Sequence, residues 1–271
     1  MSCLTLRLKY PLAQRIDMSP FTPESLAGKS AHEIARIPVW QGNRQIDLGE
    51  LFEIEGSASE QLIIQSESDR LECIGADMSS GKIIVEGSAG AYLGCAMKSG
   101  EILVTGDAGV AAGCAMKSGR LTIKGNAGDF LGGALTGERQ GMRGGSIIVK
   151  GNAGDRAGDL MRRGTILIGG NSGDYCASRM VAGTIIVGGK SGKQTGMAMR
   201  RGTLITGNEP TSLPATFNDN GQQTLSFLAL LSQNIPSDSG FDNLIEKGTR
   251  VQRWLGDLSC DGKGEILIWC S

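Results

Sequence analysis

The sequence predicts an all-β fold: a right-handed parallel β-helix of about seven 19-residue coils, with capping elements at both ends. Three observations predict it: a short motif that recurs at a constant interval, apolar residues that alternate within each copy as in β-strands, and 42 glycines. Because a single copy cannot bury its apolar side alone, each copy must stack on the next.

The repeated motif begins with a methionine and has a glycine three residues later. It occurs seven times between residues 78 and 208, and its glycines are 19 residues apart except for one interval of 26. These glycines are Gly81, Gly100, Gly119, Gly145, Gly164, Gly183 and Gly202. The longer interval contains an insertion, residues 135–141. We expect equivalent residues of successive copies to lie one strand spacing apart, about 4.8 Å.

Alternation within each copy predicts two columns of inward side chains. The first is Ile83, Ile102, Leu121, Ile147, Ile166, Ile185 and Leu204, and the second is Val85, Val104, Ile123, Val149, Ile168, Val187 and Thr206. The outward residues between them are Ile84, Leu103, Thr122, Ile148, Leu167, Ile186 and Ile205. We call these seven the outer stripe. Monomers rarely expose so apolar a stripe, so either a terminal segment of the chain or a partner subunit must cover it.

Turn geometry accounts for the glycines, because tight corners need φ values that glycine adopts at little cost. A dinucleotide-binding loop joins a strand to a helix, whereas these glycines recur in every copy with no helix after them. We therefore assign them to corners and not to a phosphate-binding site.

The segments that flank the repeat are predicted to cap it. We divide the chain into N-terminal strands, a short helix and a cap over residues 1–77, the β-helix over residues 78–208, and a C-terminal loop, short helix and strands over residues 209–271. The N-terminal helix is expected over residues 30–37 with Ser30 as its N-cap, followed by a hairpin at Gly42. The C-terminal helix is expected over residues 222–232, and strands over residues 249–270 should cover the last coil.

Composition excludes several classes of protein. A net charge of −1 gives no electrostatic reason to expect a nucleic-acid partner. The chain has no apolar run long enough for a transmembrane helix, and its alternating start resembles a strand more than a signal peptide. We therefore expect a cytoplasmic protein that contacts neither nucleic acid nor membrane.

Cysteine and histidine usage argues against chemistry in this chain. Seven cysteines, with no Cys-x-x-Cys pair, fit reduced thiols better than disulfides, zinc or an iron–sulfur cluster. Cys95 and Cys114 occupy the same place in successive copies, which predicts that they stack. The one histidine, His32, falls in the predicted N-terminal helix and has no second base to complete a catalytic triad. We predict no catalytic and no metal-binding residues.

Two polar columns should run along the predicted rod. One contains Asn126, Asn152 and Asn171, whose stacked amides are expected to hydrogen-bond between coils. The other contains Asp129, Asp155 and Asp174. Stacked carboxylates repel one another, so we expect neighbouring basic residues to pair with them.

The residue after each motif methionine is basic in five of seven copies. We call Lys98, Lys117, Arg143, Arg162 and Arg200 the basic stripe. Arg163 and Arg201 add to it, whereas Ser79 and Val181 interrupt it. Such a stripe is either a solvated face neutralised by the aspartate column or a binding track for an elongated anion or an acidic partner surface.

These repeats, of the form Gly-x-Ile-x-Val-x-Gly-Asn-Ala-Gly-Asp, resemble the C subunit of formylmethanofuran dehydrogenase and the C subunit of the bacterial formyltransferase/hydrolase complex. The same repeat occurs in the C-terminal domain of the glutamate synthase large subunit. Residues 26–30, residues 49–56 and the interrupted copy at residues 137–145 extend the resemblance beyond the coils. It covers roughly residues 20–208.

The resemblance implies a non-catalytic scaffold subunit in one-carbon metabolism. In the bacterial complex, the hydrolase-like A and B subunits and the formyltransferase, or D, subunit would be its partners, acting on formyl groups carried by tetrahydromethanopterin and a methanofuran-type carrier. The polyglutamate tail of such a carrier makes the basic stripe a candidate track, and no cofactor is expected to take part in catalysis in this chain.

Other functions stay open at this point. The chain could serve a molybdenum or tungsten formylmethanofuran dehydrogenase, or it could be a glutamate-synthase-type or oligomerising interaction domain. A self-sufficient β-helical acyltransferase is less compatible with the sequence, because such enzymes have hexapeptide periods and an active-site histidine between coils.

Overall fold

In the computed structural model, which describes residues 3–233, 235 and 250–270, the chain is mostly β, with one large mixed sheet and few helices. The strands are β1 (Leu4–Leu8), β2 (Ile16–Asp17), β3 (Pro38–Gln41), β4 (Arg44–Asp47), β5 (Phe52–Glu55), β6 (Gln61–Ser66), β7 (Leu71–Glu72), β8 (Lys82–Gly87), β9 (Glu101–Val104), β10 (Arg120–Ile123), β11 (Arg143–Val149), β12 (Arg163–Ile168), β13 (Thr184–Val187), β14 (Thr203–Thr206), β15 (Asn218–Thr224), β16 (Arg250–Gly256) and β17 (Gly264–Trp269). The helices are α1 (Pro23–Leu26), α2 (Ala31–Ala35), α3 (Leu48–Leu51), α4 (Phe227–Gln233) and a 3₁₀ helix (Leu258–Cys260).

The repeat strands β8 to β14 lie side by side in chain order, and each pairs in parallel with the next. The predicted register is confirmed: Ile83 pairs with Ile102, Ile102 with Leu121, and so on through Leu204. Both predicted inward columns are buried throughout. Burying an aliphatic side chain contributes about 1.5–3 kcal/mol, so these columns are a principal source of stability.

The motif methionines and glycines form two further columns. All seven methionines are fully buried. Gly100 has φ +91°, and a Cβ there would lie 2.6 Å from both the Gly81 carbonyl oxygen and the Met78 methyl carbon. A side chain therefore fits neither the backbone conformation nor the space, which confirms the assignment of this glycine to a corner.

Glycine is not the sole residue at the corners. Tyr92, Ala111, Phe130, Arg156 and Tyr175 occupy one corner position in successive repeats with φ between 58° and 60°. A left-handed conformation costs a residue with a side chain about 1–2 kcal/mol. The expectation that glycine or asparagine would serve the corners was therefore incomplete, because stacking holds other residues in this conformation as well.

The two polar columns bond to the backbone of the neighbouring repeat. The Asn152 N–H donates to Asn126 Oδ1 at 2.9 Å, and the Asn171 N–H donates to Asn152 Oδ1 at 2.8 Å. In the aspartate column, the Asp174 N–H donates to Asp155 Oδ1 at 2.7 Å. The carboxylates are thus stabilised by peptide N–H groups, and the expected pairing with basic side chains is not their main interaction.

The seven-residue insertion leaves the register intact. Across it, Leu121 of β10 pairs with Ile147 of β11. The asparagine column also continues across it, from Asn126 to Asn152. The extra residues therefore loop out of the stack instead of shifting it.

The N-terminal segment caps the first repeat through β1, β5 and β6, which extend the large sheet. Ser30 is the N-cap of α2 as predicted, and the Ser30 N–H donates to Glu33 Oε2 at 2.8 Å. The hairpin at Gly42 is also present, as β3 and β4. Helices α1 and α3, of four residues each, were not predicted. No helix among the described residues is both long and apolar enough to cross a bilayer.

The C-terminal segment covers the last repeat. Strand β17 pairs in parallel with β14, with Leu204 beside Ile266. Strands β16 and β15 continue the sheet in antiparallel order. We expected the C-terminal loop to include residues 218–221 and the helix to begin at residue 222. Both expectations were wrong, because residues 218–224 form β15 with a bulge and α4 begins at Phe227. Residue 249, the first of the predicted tail, lies outside the described residues.

The outer stripe is covered by the chain itself along part of its length. Ile148, Leu167, Ile186 and Ile205 are fully buried beneath Leu228 of α4 and Val251 of β16. Ile84, Leu103 and Thr122 are half-buried. Of the two covers that the sequence left open, a terminal segment of the chain is the one found over the C-terminal half of the stripe.

Candidate functional site

The five residues of the basic stripe are all exposed and lie in one row, which Val181 interrupts between Arg162 and Arg200. Each stripe residue follows the buried methionine of its own repeat. Its N–H donates to the carbonyl of the methionine in the previous repeat, for example Arg162 to Met142 and Arg200 to Met180, both at 2.8 Å. Lys98, Lys117 and Arg143 obey the same rule with Met78, Met97 and Met116. The Lys263 N–H donates to the Arg200 carbonyl at 2.7 Å, so Lys263 extends the stripe by one residue. Lys263 was not predicted because it lies outside the repeats.

The N-terminal end of the stripe is partly neutralised. Lys98 Nζ lies 3.1 Å from Asp77 Oδ1, and both side chains are about half exposed, at 49% and 65%. An exposed pair of this kind contributes about 0–1 kcal/mol. The charge of Lys98 is therefore already partly neutralised by Asp77.

The C-terminal end forms a concavity instead. Val181 and Ala182 stand where neighbouring repeats have two arginines, so their small side chains form an apolar floor. Arg162, Arg163, Arg200 and Arg201 surround that floor and enclose a volume of about 470 Å³. We call this concavity and its continuation described next the arginine groove.

The groove continues past Arg162 and Arg200 toward the insertion. This second part also encloses about 470 Å³, with Glu138 and Arg139 of the insertion on one side and Cys260 on the other. Arg179 lies in its wall. The insertion thus contributes residues to the groove, which its place in the sequence alone did not indicate.

A buried carboxylate holds Arg179 in place. Asp159 is 2% exposed and accepts hydrogen bonds from Arg179 Nε at 2.9 Å, from the Arg179 Nη2 and from Ser178 Oγ at 2.7 Å. The hydrogen bond to Asp159 raises the pKa of Arg179. Arg179 is therefore both fixed and charge-compensated, and its guanidinium serves the groove mainly as a wall.

The four arginines around the apolar floor are available to bind a ligand. Within the described part of the chain, no carboxylate forms an ion pair with Arg162, Arg163, Arg200 or Arg201. Guanidinium groups bind carboxylates and phosphates through two parallel hydrogen bonds. The arrangement can therefore hold an oxyanion-bearing chain along the groove.

Two other features offer less. His32 is exposed on α2, in the N-terminal segment. A cavity of about 920 Å³ beside β1 and β6 is lined by Arg7, Lys9 and Arg70 but also by Glu67 and Glu86, so it carries charges of both signs. Neither gives as clear a preference for one chemical class of ligand as the arginine groove does.

Comparison with known proteins identifies the family. The family model described by the GXGXG motif matches residues 63–228, more than half of the chain. The chain belongs to the GXGXG family. The repeated glycines and strands described above fall within the matched range.

Relatives in this family include subunits of formyl-handling enzymes. The chain is 45% identical over 84 residues to the C subunit of the molybdenum-containing formylmethanofuran dehydrogenase 1 of Methanosarcina barkeri, covering 29% of this chain and 28% of the relative. It is 43% identical over 89 residues to the C subunit of the formyltransferase/hydrolase complex of Methylorubrum extorquens, covering 33% and 34%. The matches thus span about a third or less of these curated relatives.

A solved structure matches the chain over nearly its whole length. It is a chain in the X-ray crystal structure of the formyltransferase/hydrolase complex from Methylorubrum extorquens in complex with methylofuran. The TM-score is 0.93 at 42% sequence identity, and the match covers 98% of this chain and 100% of the other. The likeness to this solved chain therefore includes the capping segments and not the repeats alone.

Proposed function

We propose that this chain is a non-catalytic scaffold subunit of a multi-subunit formyltransferase/hydrolase complex. In this proposal the complex moves formyl groups from tetrahydromethanopterin to a methanofuran-type carrier and then to formate. The observation that carries the proposal is the match along 98% of the chain to a chain of the Methylorubrum extorquens complex.

We infer that the repeats are the coils of a right-handed parallel β-helix. Seven parallel strands in register, β8 to β14, support this architecture. A second row of parallel bridges, Ala89 to Ala108, Ala108 to Ala127, Ala127 to Ala153 and Ala153 to Ser172, runs along another side of the same repeats. A stiff rod of this kind offers long surfaces on which other subunits can assemble.

The partners proposed are the hydrolase-like A and B subunits and the formyltransferase, or D, subunit, in the cytoplasm. A second candidate is the C subunit of a formylmethanofuran dehydrogenase, which the 45% identity to the Methanosarcina barkeri protein favours. Affinity purification from the native host separates the two. Co-purifying hydrolase and formyltransferase chains are expected, whereas a molybdopterin-containing subunit would favour the second candidate.

We propose further that the basic stripe, Lys98, Lys117, Arg143, Arg162 and Arg200, binds the acidic tail of the carrier, with the arginine groove as its strongest part. Four guanidinium groups without ion pairs around an apolar floor support this. Opposing Arg162 and Arg200 across Val181 suits a ligand with several carboxylates in series.

The test is a charge reversal in the intact complex. Arg162→Glu together with Arg200→Glu should reduce the carrier that co-purifies, measured by mass spectrometry, by more than about tenfold. Lys190→Glu is the matched control, because Lys190 is an exposed lysine on the asparagine column and not on the stripe. Unchanged carrier content in the double variant would remove the groove from the proposal while leaving the scaffold role intact.

A further inference from the structure

Two cysteines of consecutive repeats lie against each other at the N-terminal end of the rod. Cys95 and Cys114 occupy equivalent positions, and the Ala96 N–H donates to the Cys114 carbonyl at 2.8 Å. Neighbouring strands at this spacing put the two Cα atoms about 4.8 Å apart. That separation falls inside the range of about 4.4–6.8 Å found for disulfide-linked cysteines.

The two thiols also touch. The Cys114 thiol donates a hydrogen bond to the Cys95 sulfur, and this bond lowers the pKa of Cys95 despite the opposing effect of burial. The charge of Asp77 also opposes this lowering of the pKa of Cys95, and the charge of Lys117 adds to it. The same contact and burial raise the pKa of Cys114. Cys95 is half-buried and Cys114 is buried, so the more acidic sulfur is also the more accessible one.

Three other described cysteines have a raised pKa, in contrast to the lowered pKa of Cys95. Burial raises the pKa of Cys73 and of Cys176, each to about 11, and burial raises that of Cys260. Cys176 is fully buried and its thiol contacts Ser172 and Ser191 instead of another sulfur. The column that holds Cys95 and Cys114 continues with Ala76 on one side and Gly133 on the other, so it contains no third sulfur. Cys73, outside this column, interacts electrostatically with both cysteines.

We propose that Cys95 and Cys114 form an oxidisable dithiol, with a peroxide as the oxidant. This inference does not depend on the proposed scaffold function. The Cys95 thiolate attacks one peroxide oxygen, the O–O bond breaks, and the departing hydroxide takes up a proton to become water. Cys95 is left as a sulfenic acid.

Cys114 completes the reaction. Its sulfur attacks the Cys95 sulfur, the S–O bond breaks, and the released hydroxide takes the Cys114 proton and leaves as a second water. The two thiols together lose two electrons and two protons, and the peroxide is reduced to two waters. A dithiol reductant reverses the reaction by thiol–disulfide exchange.

The sequence makes the product easy to identify. Trypsin cleaves after Lys82, Lys98 and Lys117, which places Cys95 in peptide 83–98 and Cys114 in peptide 99–117, each with no other cysteine. The full-length chain is freed of reductant, treated with equimolar hydrogen peroxide, alkylated and digested. We expect peptides 83–98 and 99–117 joined by a disulfide, and we expect a dithiol to separate them.

Variants distinguish the two roles. In Cys114→Ser, Cys95 should persist as a sulfenic acid that dimedone traps on peptide 83–98, whereas Cys95→Ser should slow the oxidation of Cys114 by at least about tenfold. Cys176→Ser is the matched control and should leave the linkage unchanged. Repeating the wild-type reaction below the ordinary thiol pKa of about 8.5 needs no variant, and the linkage should still form there.

Three results would overturn the proposal. One is full alkylation of both cysteines after peroxide treatment of the wild-type chain. Another is a disulfide from Cys95 to Cys73, which lies in the separate tryptic peptide 71–82. The third is an oxidation rate of the wild-type chain that decreases on acidification as it does for a thiol of ordinary pKa. The lowered pKa of Cys95 predicts instead that its thiolate, and hence the reaction, persists to lower pH.

Discussion

The two ends of the repeat region, near β8 and near β14, present the same repeating unit to different surroundings. On the outer stripe, Ile84 and Leu103 at the N-terminal end are half-buried, whereas Ile186 and Ile205 at the C-terminal end are sealed by α4 and β16. The basic stripe also differs between its ends: Lys98 at the N-terminal end forms an ion pair, whereas the C-terminal end forms the arginine groove. One repeating unit therefore supports two kinds of surface, and the flanking segments and point changes decide which one forms.

The largest expected difference is in the outer stripe. Ile186→Ala removes a fully buried side chain from the apolar cluster beneath α4 and β16 and should lower the free energy of unfolding by about 2–5 kcal/mol. Ile84→Ala, its equivalent at the other end, should cost no more than about 1 kcal/mol. Urea denaturation of the isolated chain measures both. Equal losses would mean that the two halves of the stripe are covered alike.

The next difference concerns the buried carboxylate of the groove. Asp159→Asn keeps the shape but removes the charge that accepts from Arg179 and Ser178, and should cost about 1.5–3 kcal/mol. The same urea titration applies, with carrier content as a second readout. A neutral effect would show that Arg179 does not need Asp159 to stay in the groove wall.

A third prediction concerns pH at the C-terminal end. Asp257 is 2% exposed, and burial would raise its pKa, but hydrogen bonds from Thr216, Ser259 and the Ala198 N–H outweigh burial and lower it. A lowered pKa in the folded state stabilises the fold above the ordinary value of 3.8, and this stabilisation is lost as pH falls through the folded value.

The measurement is the melting temperature of the wild-type chain and of Asp257→Asn from neutral pH to below the ordinary aspartate pKa of 3.8. The variant should lose about 1 kcal/mol at neutral pH and should show a shallower decline on acidification. Parallel declines in the two proteins would assign the acid sensitivity to other carboxylates.

The smallest effect is expected at the exposed ion pair. Lys98→Gln breaks the contact with Asp77, and because both side chains are half exposed, the unfolding free energy should change by less than about 1 kcal/mol. Urea denaturation of this variant beside Asp159→Asn compares the two ends directly. A loss as large as that of Asp159→Asn would contradict the view that the pair at the N-terminal end is screened by solvent.

The repeat was predictable because its physics is local and periodic. A constant interval of 19 residues fixes which side chains stack, so the register of Ile83 on Ile102 and the inward columns followed from the sequence alone. The N-cap at Ser30 and the hairpin at Gly42 followed from short-range signals. The resemblance in the repeats likewise indicated the family that the comparisons identify.

Features that depend on one part of the chain meeting another were not predictable. The polar residues of β15 form a strand because β16 offers an edge to pair with, not because they favour one. The arginine groove combines the insertion, three repeats and Cys260, which are distant in sequence. Lys263 lies next to the stripe although it belongs to the C-terminal segment and not to a repeat.

The intact register across residues 135–141 has a practical consequence. The β10–β11 pairing and the asparagine column pass this point unbroken, so the number of residues in the loop is decoupled from the stacking on either side. Each doubling of a flexible loop adds only about 0.6 kcal/mol of closure entropy. The loop is therefore a natural position for grafting an epitope or a fluorescent reporter at the mouth of the groove, where occupancy could be followed in a living cell.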